Sequence, residues 1–274
     1  MRKFLAWVVF FAAIYYLGLM EMFAVLFLVV SLHEMAHVFA ALLYGLRLEK
    51  IGLMPIGQFA VIKNLELLPG NKRALVVLAG PLCNIILGLF FYIFFEGKFE
   101  LFMQYNFVIA FFNLLPSVPL DGGKLFQIYF GNKIGVLRAN KLLIKISRVI
   151  SIIIIILGVI QCILFKYNIS LILVGAYIYN ILERENFNMA TVFYKVLLNK
   201  HNNYKKRIIP IEHILLPKDT KIKTILNKLC WDKYFVFNIM VDEKIHKLSE
   251  HDFSRYVFNV GIHGDMYDII NSYY

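Results

Sequence analysis

Hydrophobic positions run unbroken along this chain for much longer than an amphipathic helix or a half-buried strand requires. Residues 4–20, 74–95, 101–120, 149–165 and 167–182 contain no acidic or basic side chain, and 22–45 is interrupted only by His33, Glu34 and His37. A bilayer core takes roughly 17–25 apolar residues per helix, so this pattern predicts an α-helical polytopic membrane protein with about six transmembrane helices. Beyond about residue 183 the pattern changes. Residues 184–207 read as a mixed, polar-to-basic connector ending in Lys205-Lys206-Arg207, and 208–274 has the charge density of a small soluble domain. The expected organisation is a membrane domain over 1–183, a linker over 184–207 and a C-terminal domain over 208–274.

Two shorter patterns add detail. "LEKIGLMPIGQFAVIK", residues 48–63, is apolar but punctuated by Gly52, Pro55 and Gly57, which suits two short strands and a turn better than a helix. Such a hairpin lies at the membrane interface or enters the protein where its backbone groups are satisfied, or it is an ordinary packed loop. In the tail, "IIPIEHILLPKDTKIKTILNKL" followed by "YFVFNIMV" reads as strand, turn, helix, strand, and "KIHKLSEHDFSRYVF" supplies a further strand and helix.

Composition agrees with the membrane reading. Hydrophobic residues make up 60% and charged residues 17%, against about a quarter charged in soluble domains. Charge sorting sets the orientation. If the helices alternate, one side receives 27 of the 29 Lys and Arg, and the other only Lys98 and Lys166. Basic residues stay cytoplasmic, so both termini and the tail are expected in the cytosol. The net charge of +11 is then a topology signal that anionic lipid can reinforce, and no nucleic acid is needed to explain it. Residues 4–20 have the basic start and apolar centre of a removable signal peptide, but Leu17-Gly18-Leu19-Met20-Glu21 is a poor cleavage site, so retention as a first span is expected. Cys83, Cys162 and Cys230 show no metal-binding spacing and read as small buried hydrophobes or bland thiols.

The chemistry sits in the interrupted run. His33 and His37 are four apart and share a helical face. Glu34 is one step round, able to reach water beside a metal without taking a ligand position. That is the content of HExxH: two neutral imidazoles hold zinc and the glutamate takes a proton from water. Ionisable groups inside a membrane are costly and functional by default. The alternative is a buried His-Glu pair that holds helices together.

Zinc hydrolases usually add a third protein ligand and leave the fourth position to water. Glu21, Glu96 and Glu100 fall on the outer side, which leaves Asp121 in "FFNLLPSVPLDGGK", residues 111–124. Pro116 and Pro119 prevent a regular helix there, and Gly122-Gly123 allow tight turns after the carboxylate. Alone, Asp121 could equally be a helix-terminating Asp-Gly turn; with HExxH present the ligand reading is favoured. His33 lies about 18 Å of helix from residue 45, so the site is expected within the bilayer, opening to the cytosol.

"HEMAH", "AGPLCN" at 79–84 and "NLLPSVPLDGGK" at 113–124 resemble the signature set of the site-2 protease family of intramembrane metalloproteases, most closely its sporulation branch. The resemblance implies one zinc ion per chain held by His33, His37 and Asp121, Glu34 as the catalytic glutamate, and Asn113 as a residue positioning substrate or oxyanion. It gives the hairpin at 48–63 the place of a membrane-reentrant loop that guides substrate into extended form.

The same resemblance implies a membrane-associated protein substrate, the precursor of the sporulation sigma factor K, and a location in the membrane around the forespore, facing the mother-cell cytosol. It leaves room for inhibitory membrane proteins and a homo-oligomer. The tail resembles half of a CBS unit, giving a small cytosolic α/β CBS-like domain; ATP is the ligand that likeness suggests, against which "DEKI" replaces the glycines usual after the central strand. The alternatives are a site-2 protease acting on an anti-sigma factor or signal-peptide remnant, and a metal transporter. A transporter would repeat polar ligands along a path, whereas this chain has one cluster.

Overall fold

The computed structural model describes residues 15, 16, 18–54, 57–95, 98–164, 169–203, 209–241 and 244–273. Most of the expected first span, 4–14 and residue 17 of 4–20, lies outside them. The chain divides into two compact units, one ending at Leu115 and the other starting at Pro116.

The N-terminal unit begins with helix α1 (Met20–Leu43), whose sequence has no Gly or Pro to interrupt it. It stops at Gly45, which takes φ of 73°. There the amide of Leu46 turns back to the carbonyl of Ala41 at 3.1 Å, a glycine-type helix end. The chain then forms the expected hairpin. Strands β1 (Arg47–Met54) and β2 (Gly57–Lys63) pair antiparallel, closing at Met54 opposite Gly57, with an irregularity between Leu48 and Lys50. Helices α2 (Gly70–Phe94) and α3 (Glu100–Leu114) complete the unit. At 1.5 Å per residue α3 is only about 22 Å long. It ends where Pro116 and Pro119 make further helix impossible, so the run 101–120 is helical only in its first three quarters.

In the C-terminal unit, helices α4 (Asp121–Ile134), α5 (Val136–Leu164) and α6 (Ser170–Asn203) precede the tail. Residues 184–203 are the second half of α6, continuous with its apolar first half. Strands β3 (Ile211–Pro217), β4 (Tyr234–Val241) and β5 (Lys244–Ser249) lie in that order, β3 parallel to β4 and β5 antiparallel to it. Helix α7 (Ile222–Leu226) makes the crossover, and α8 (Glu250–Val260) and α9 (Met266–Tyr273) follow. This is the element order the tail sequence predicts. Phe235, Phe237 and Ile239 alternate inward along β4 onto Ile222, Phe253, Met266 and Ile269, all buried. Ser249 caps α8 by accepting the amide of Asp252 at 3.1 Å.

Within this unit the tail is joined to the long helices by polar contacts. The amide of Val136 donates to the carbonyl of Leu229 at 3.0 Å. Lys200 of α6, 5% exposed, reaches Glu250 of α8 at 2.6 Å, and also donates to the carbonyls of Cys230 (3.1 Å) and Lys233. The second carboxylate oxygen of Glu250 accepts the amide of Phe235 at 2.8 Å.

Among the described residues α1, α2 and α5 are long and apolar enough to cross a membrane. Their surfaces are inside-out relative to a soluble protein. Met35, Phe39, Leu43, Ile86, Ile93, Phe94 and Ile163 are exposed, whereas His33, His37, Asn84, Ser147 and Ser151 are buried. Apolar surface of that extent on consecutive helix faces marks a lipid-facing exterior.

Candidate metal centre

Val29, His33, His37 and Ala41 recur every fourth residue and are the buried positions of α1. His33 is 3% and His37 8% exposed, and their Nε2 atoms face each other at 3.1 Å. The neighbouring helix fixes their chemistry. A carbonyl can only accept, so the bond of 2.8 Å between His37 Nδ1 and the Val76 oxygen requires the proton on Nδ1 and, in the neutral ring, places the lone pair on Nε2, the atom that faces His33. Two nitrogens binding one tetrahedral zinc at about 2.0–2.1 Å stand about 3.3 Å apart. The observed separation fits that ion.

Gly80 allows the helices to come this close. A Cβ built there would lie 2.3 Å from His37 Nε2 and 2.7 Å from His33 Nε2, nearer than any side chain tolerates. Glu34 is half-buried beside the pair, and among the described residues its carboxylate is used in no hydrogen bond or ion pair. It is available to take a proton. Asn113, near the end of α3, donates Nδ2 to its own helix at the Ile109 carbonyl, 3.0 Å away, which leaves its side-chain oxygen unused by that bond.

In the C-terminal unit Asp121 is 4% exposed and opens α4. The sequence suggested a turn after the carboxylate; instead Gly122 and Gly123 are the first turn of the helix. Gly123 is small because a Cβ there would lie 2.6 Å from the carbonyl oxygen of Ser117. The positive end of the α4 dipole favours the Asp121 carboxylate, and Lys124 bonds to one of its oxygens at 2.9 Å. Val118, just before, donates its amide to the buried hydroxyl of Ser147 at 3.0 Å.

The N-terminal unit thus offers two buried imidazoles, His33 and His37, and the C-terminal unit a buried carboxylate, Asp121, each able to bind a metal. Two nitrogens and one oxygen suit zinc with a position left for water. Sequence reasoning did not find the Val76 carbonyl, because backbone atoms carry no residue signature. Gly80 and Asn84 of "AGPLCN" are four apart and so share one helix face, but neither residue type announces a role by itself.

An HExxH pair buried in an apolar helix, with a half-buried carboxylate beside it, is the donor pattern of the zinc metallopeptidases. The chain belongs to peptidase family M50, the site-2 protease family, whose sequence profile matches residues 21–100 and 95–157. It is similar to zinc metalloprotease MJ0392 of Methanocaldococcus jannaschii, with 29% identity over 235 residues, covering 82% of this chain and 65% of that protein. It is also similar to stage IV sporulation protein FB of Bacillus subtilis, with 34% identity over 136 residues, covering 47% of each. The solved structure of a site-2 protease from Methanocaldococcus jannaschii matches with a TM-score of 0.51 and 30% identity, covering 66% of this chain and 88% of that one. The chain spans 65% and 47% of the lengths of these two curated relatives. It is an integral membrane protein of site-2 protease fold, and the metal implied by its donors and its family is zinc.

Proposed function

We propose that the chain is an intramembrane zinc metalloendopeptidase that cleaves the membrane-associated pro-sequence of the precursor of sporulation sigma factor K. The observation that carries the activity is the buried pair His33 and His37, held at 3.1 Å by Val76 and Gly80, with Glu34 uncommitted beside it. The substrate class is supported by the similarity to stage IV sporulation protein FB.

His33 and His37 would hold the zinc, with Asp121 as the proposed third ligand. When bound, zinc polarises the scissile carbonyl and makes water acidic enough to lose a proton near neutral pH. Glu34 takes that proton on its carboxylate and returns it to the departing amine nitrogen. His37 keeps its Nε2 aimed inward through its bond to Val76. The apolar surroundings exclude bulk water, and the Asn113 amide orients the substrate or the developing oxyanion. The hairpin of β1 and β2 presents an extended substrate.

The wider architecture proposed with this activity is six transmembrane helices with both termini cytosolic, in the membrane around the forespore. The sheet of β3, β4 and β5 serves as a CBS-like docking domain for the cytosolic substrate. Inhibitory membrane proteins and a homo-oligomer fit the same reading. Coexpression with a tagged sigma-K precursor, followed by immunoblotting, tests it: wild type yields the shortened product. An intact precursor beside a folded, zinc-loaded wild-type protein removes this substrate.

A further inference from the structure

One buried side chain close to this centre has no use in the mechanism so far. Asn84 lies on α2 one turn beyond Gly80, is 0% exposed, and finds no partner for either Oδ1 or Nδ2 among the described residues. Three other polar residues of the N-terminal unit place their donors locally, although Asn106 Oδ1 also has no partner among the described residues. Ser31, Asn106 and Asn113 each donate to the carbonyl four residues back, at 2.6, 2.8 and 3.0 Å. Asn84 makes no such bond. A buried amide with donor and acceptor both unmet is unfavourable unless something brought to the site completes it.

Its position indicates what does. Helix side chains lean toward the N-terminus of their own helix, so the Asn84 carboxamide lies over the turn containing Gly80. Gly80 is the residue that faces both Nε2 atoms. The amide is therefore directed toward the centre, one turn deeper in the membrane than the Val76 carbonyl. A peptide unit entering this interior brings one N–H and one C=O that lipid cannot satisfy. A carboxamide offers the complementary acceptor and donor.

We infer that Asn84 is a substrate-positioning residue, pairing its Oδ1 and Nδ2 with the backbone N–H and C=O of an extended peptide beside the zinc ligands. The inference rests on the peptidase reading above and adds a specific contact to it. The contact is to backbone, so it holds the strand in register without selecting its side chains.

Asn84→Leu keeps the volume and removes both polar atoms. Binding of the labelled sigma-K pro-sequence peptide is measured on zinc-loaded Glu34→Gln protein in micelles, with and without Asn84→Leu. The substitution should weaken binding about tenfold, the effect of losing one to two net hydrogen bonds. In the otherwise wild-type protein it should raise KM about tenfold more than it lowers kcat. Zinc content should be unchanged and the melting temperature equal or higher, because an unmet amide has gone. A protein that is as stable but binds substrate worse is not what a packing residue produces. Unchanged peptide binding in Asn84→Leu overturns the inference, and so does a joint loss of zinc and thermal stability. Peptide bound through Asn84 but left intact by wild type defeats the peptidase reading and leaves this contact standing. A peptide bound by neither protein overturns the contact itself.

Discussion

The imidazole of His37 donates to the carbonyl oxygen of Val76 at 2.8 Å. One backbone acceptor on α2 thereby sets the tautomer of a candidate metal ligand on α1, so the helix contact bears on the metal chemistry. Because that acceptor is main chain, no substitution at position 76 removes it. Gly80, one turn along, is where the contact can be disturbed.

Gly80→Ala should therefore weaken zinc binding while α1 and α2 still form. The added methyl would sit 2.3 Å from His37 Nε2, so an imidazole must shift. Disturbing the groups that orient a ligand typically costs about 10–100-fold in metal affinity. Chelator competition on purified protein checks this, and unaltered affinity shows that α2 stands further from the histidines.

Asp121→Asn keeps size and helix-start preference but removes the negative charge. Weakened zinc retention and lost cleavage are expected, with membrane insertion normal. Metal analysis after dialysis against a mild chelator reads the first directly. Wild-type zinc retention would assign the third ligand to another residue.

These sites show how much the sequence could reveal. His33, Glu34, His37 and Asp121 stood out as candidates because carboxylates and imidazoles are conspicuous in or beside apolar runs. The hairpin was legible from Gly52, Pro55 and Gly57, and the tail's strands from alternation such as that of Phe235, Phe237 and Ile239. Asn84 was hidden because a single amide in a membrane helix looks like packing; what marks it is that both its polar side-chain atoms lack partners among the described residues. Lys200 was hidden for a different reason. It sits in a polar-to-basic stretch that reads as solvated connector, and Glu250, which makes burying it tolerable, lies 50 residues further on. Periodicity within one segment carries no information about such a pair.

That pair makes its own prediction. Lys200→Met leaves Glu250, 1% exposed, with its charge uncompensated, and Glu250→Gln leaves Lys200 in the same position. Each should destabilise the C-terminal unit by about 3–5 kcal/mol, with much of the loss recovered in the double variant Lys200→Met/Glu250→Leu. Denaturant unfolding in micelles measures all three. Single variants within about 0.5 kcal/mol of wild type, the range typical of surface changes, would place the pair in solvent.

Cys230 is buried against the carbonyls of Asn132 and Lys228, and burial pushes its thiol above the usual range. Thiolate is the reactive form, so native protein at pH 8 should resist alkylation at this cysteine and react once unfolded. Peptide mass analysis after a timed pulse of iodoacetamide reads the difference. Rapid labelling in the native state would mean that the tail opens there.

In the proposed mechanism Glu34 moves the proton while the histidines hold the metal. The most direct measurement is zinc content and precursor cleavage together, in wild type, Glu34→Gln and His33→Ala. Wild type should contain one zinc per chain and cleave; Glu34→Gln should retain the zinc and leave the precursor intact; His33→Ala should lose both. Cleavage by Glu34→Gln, or loss of its zinc, would contradict the account.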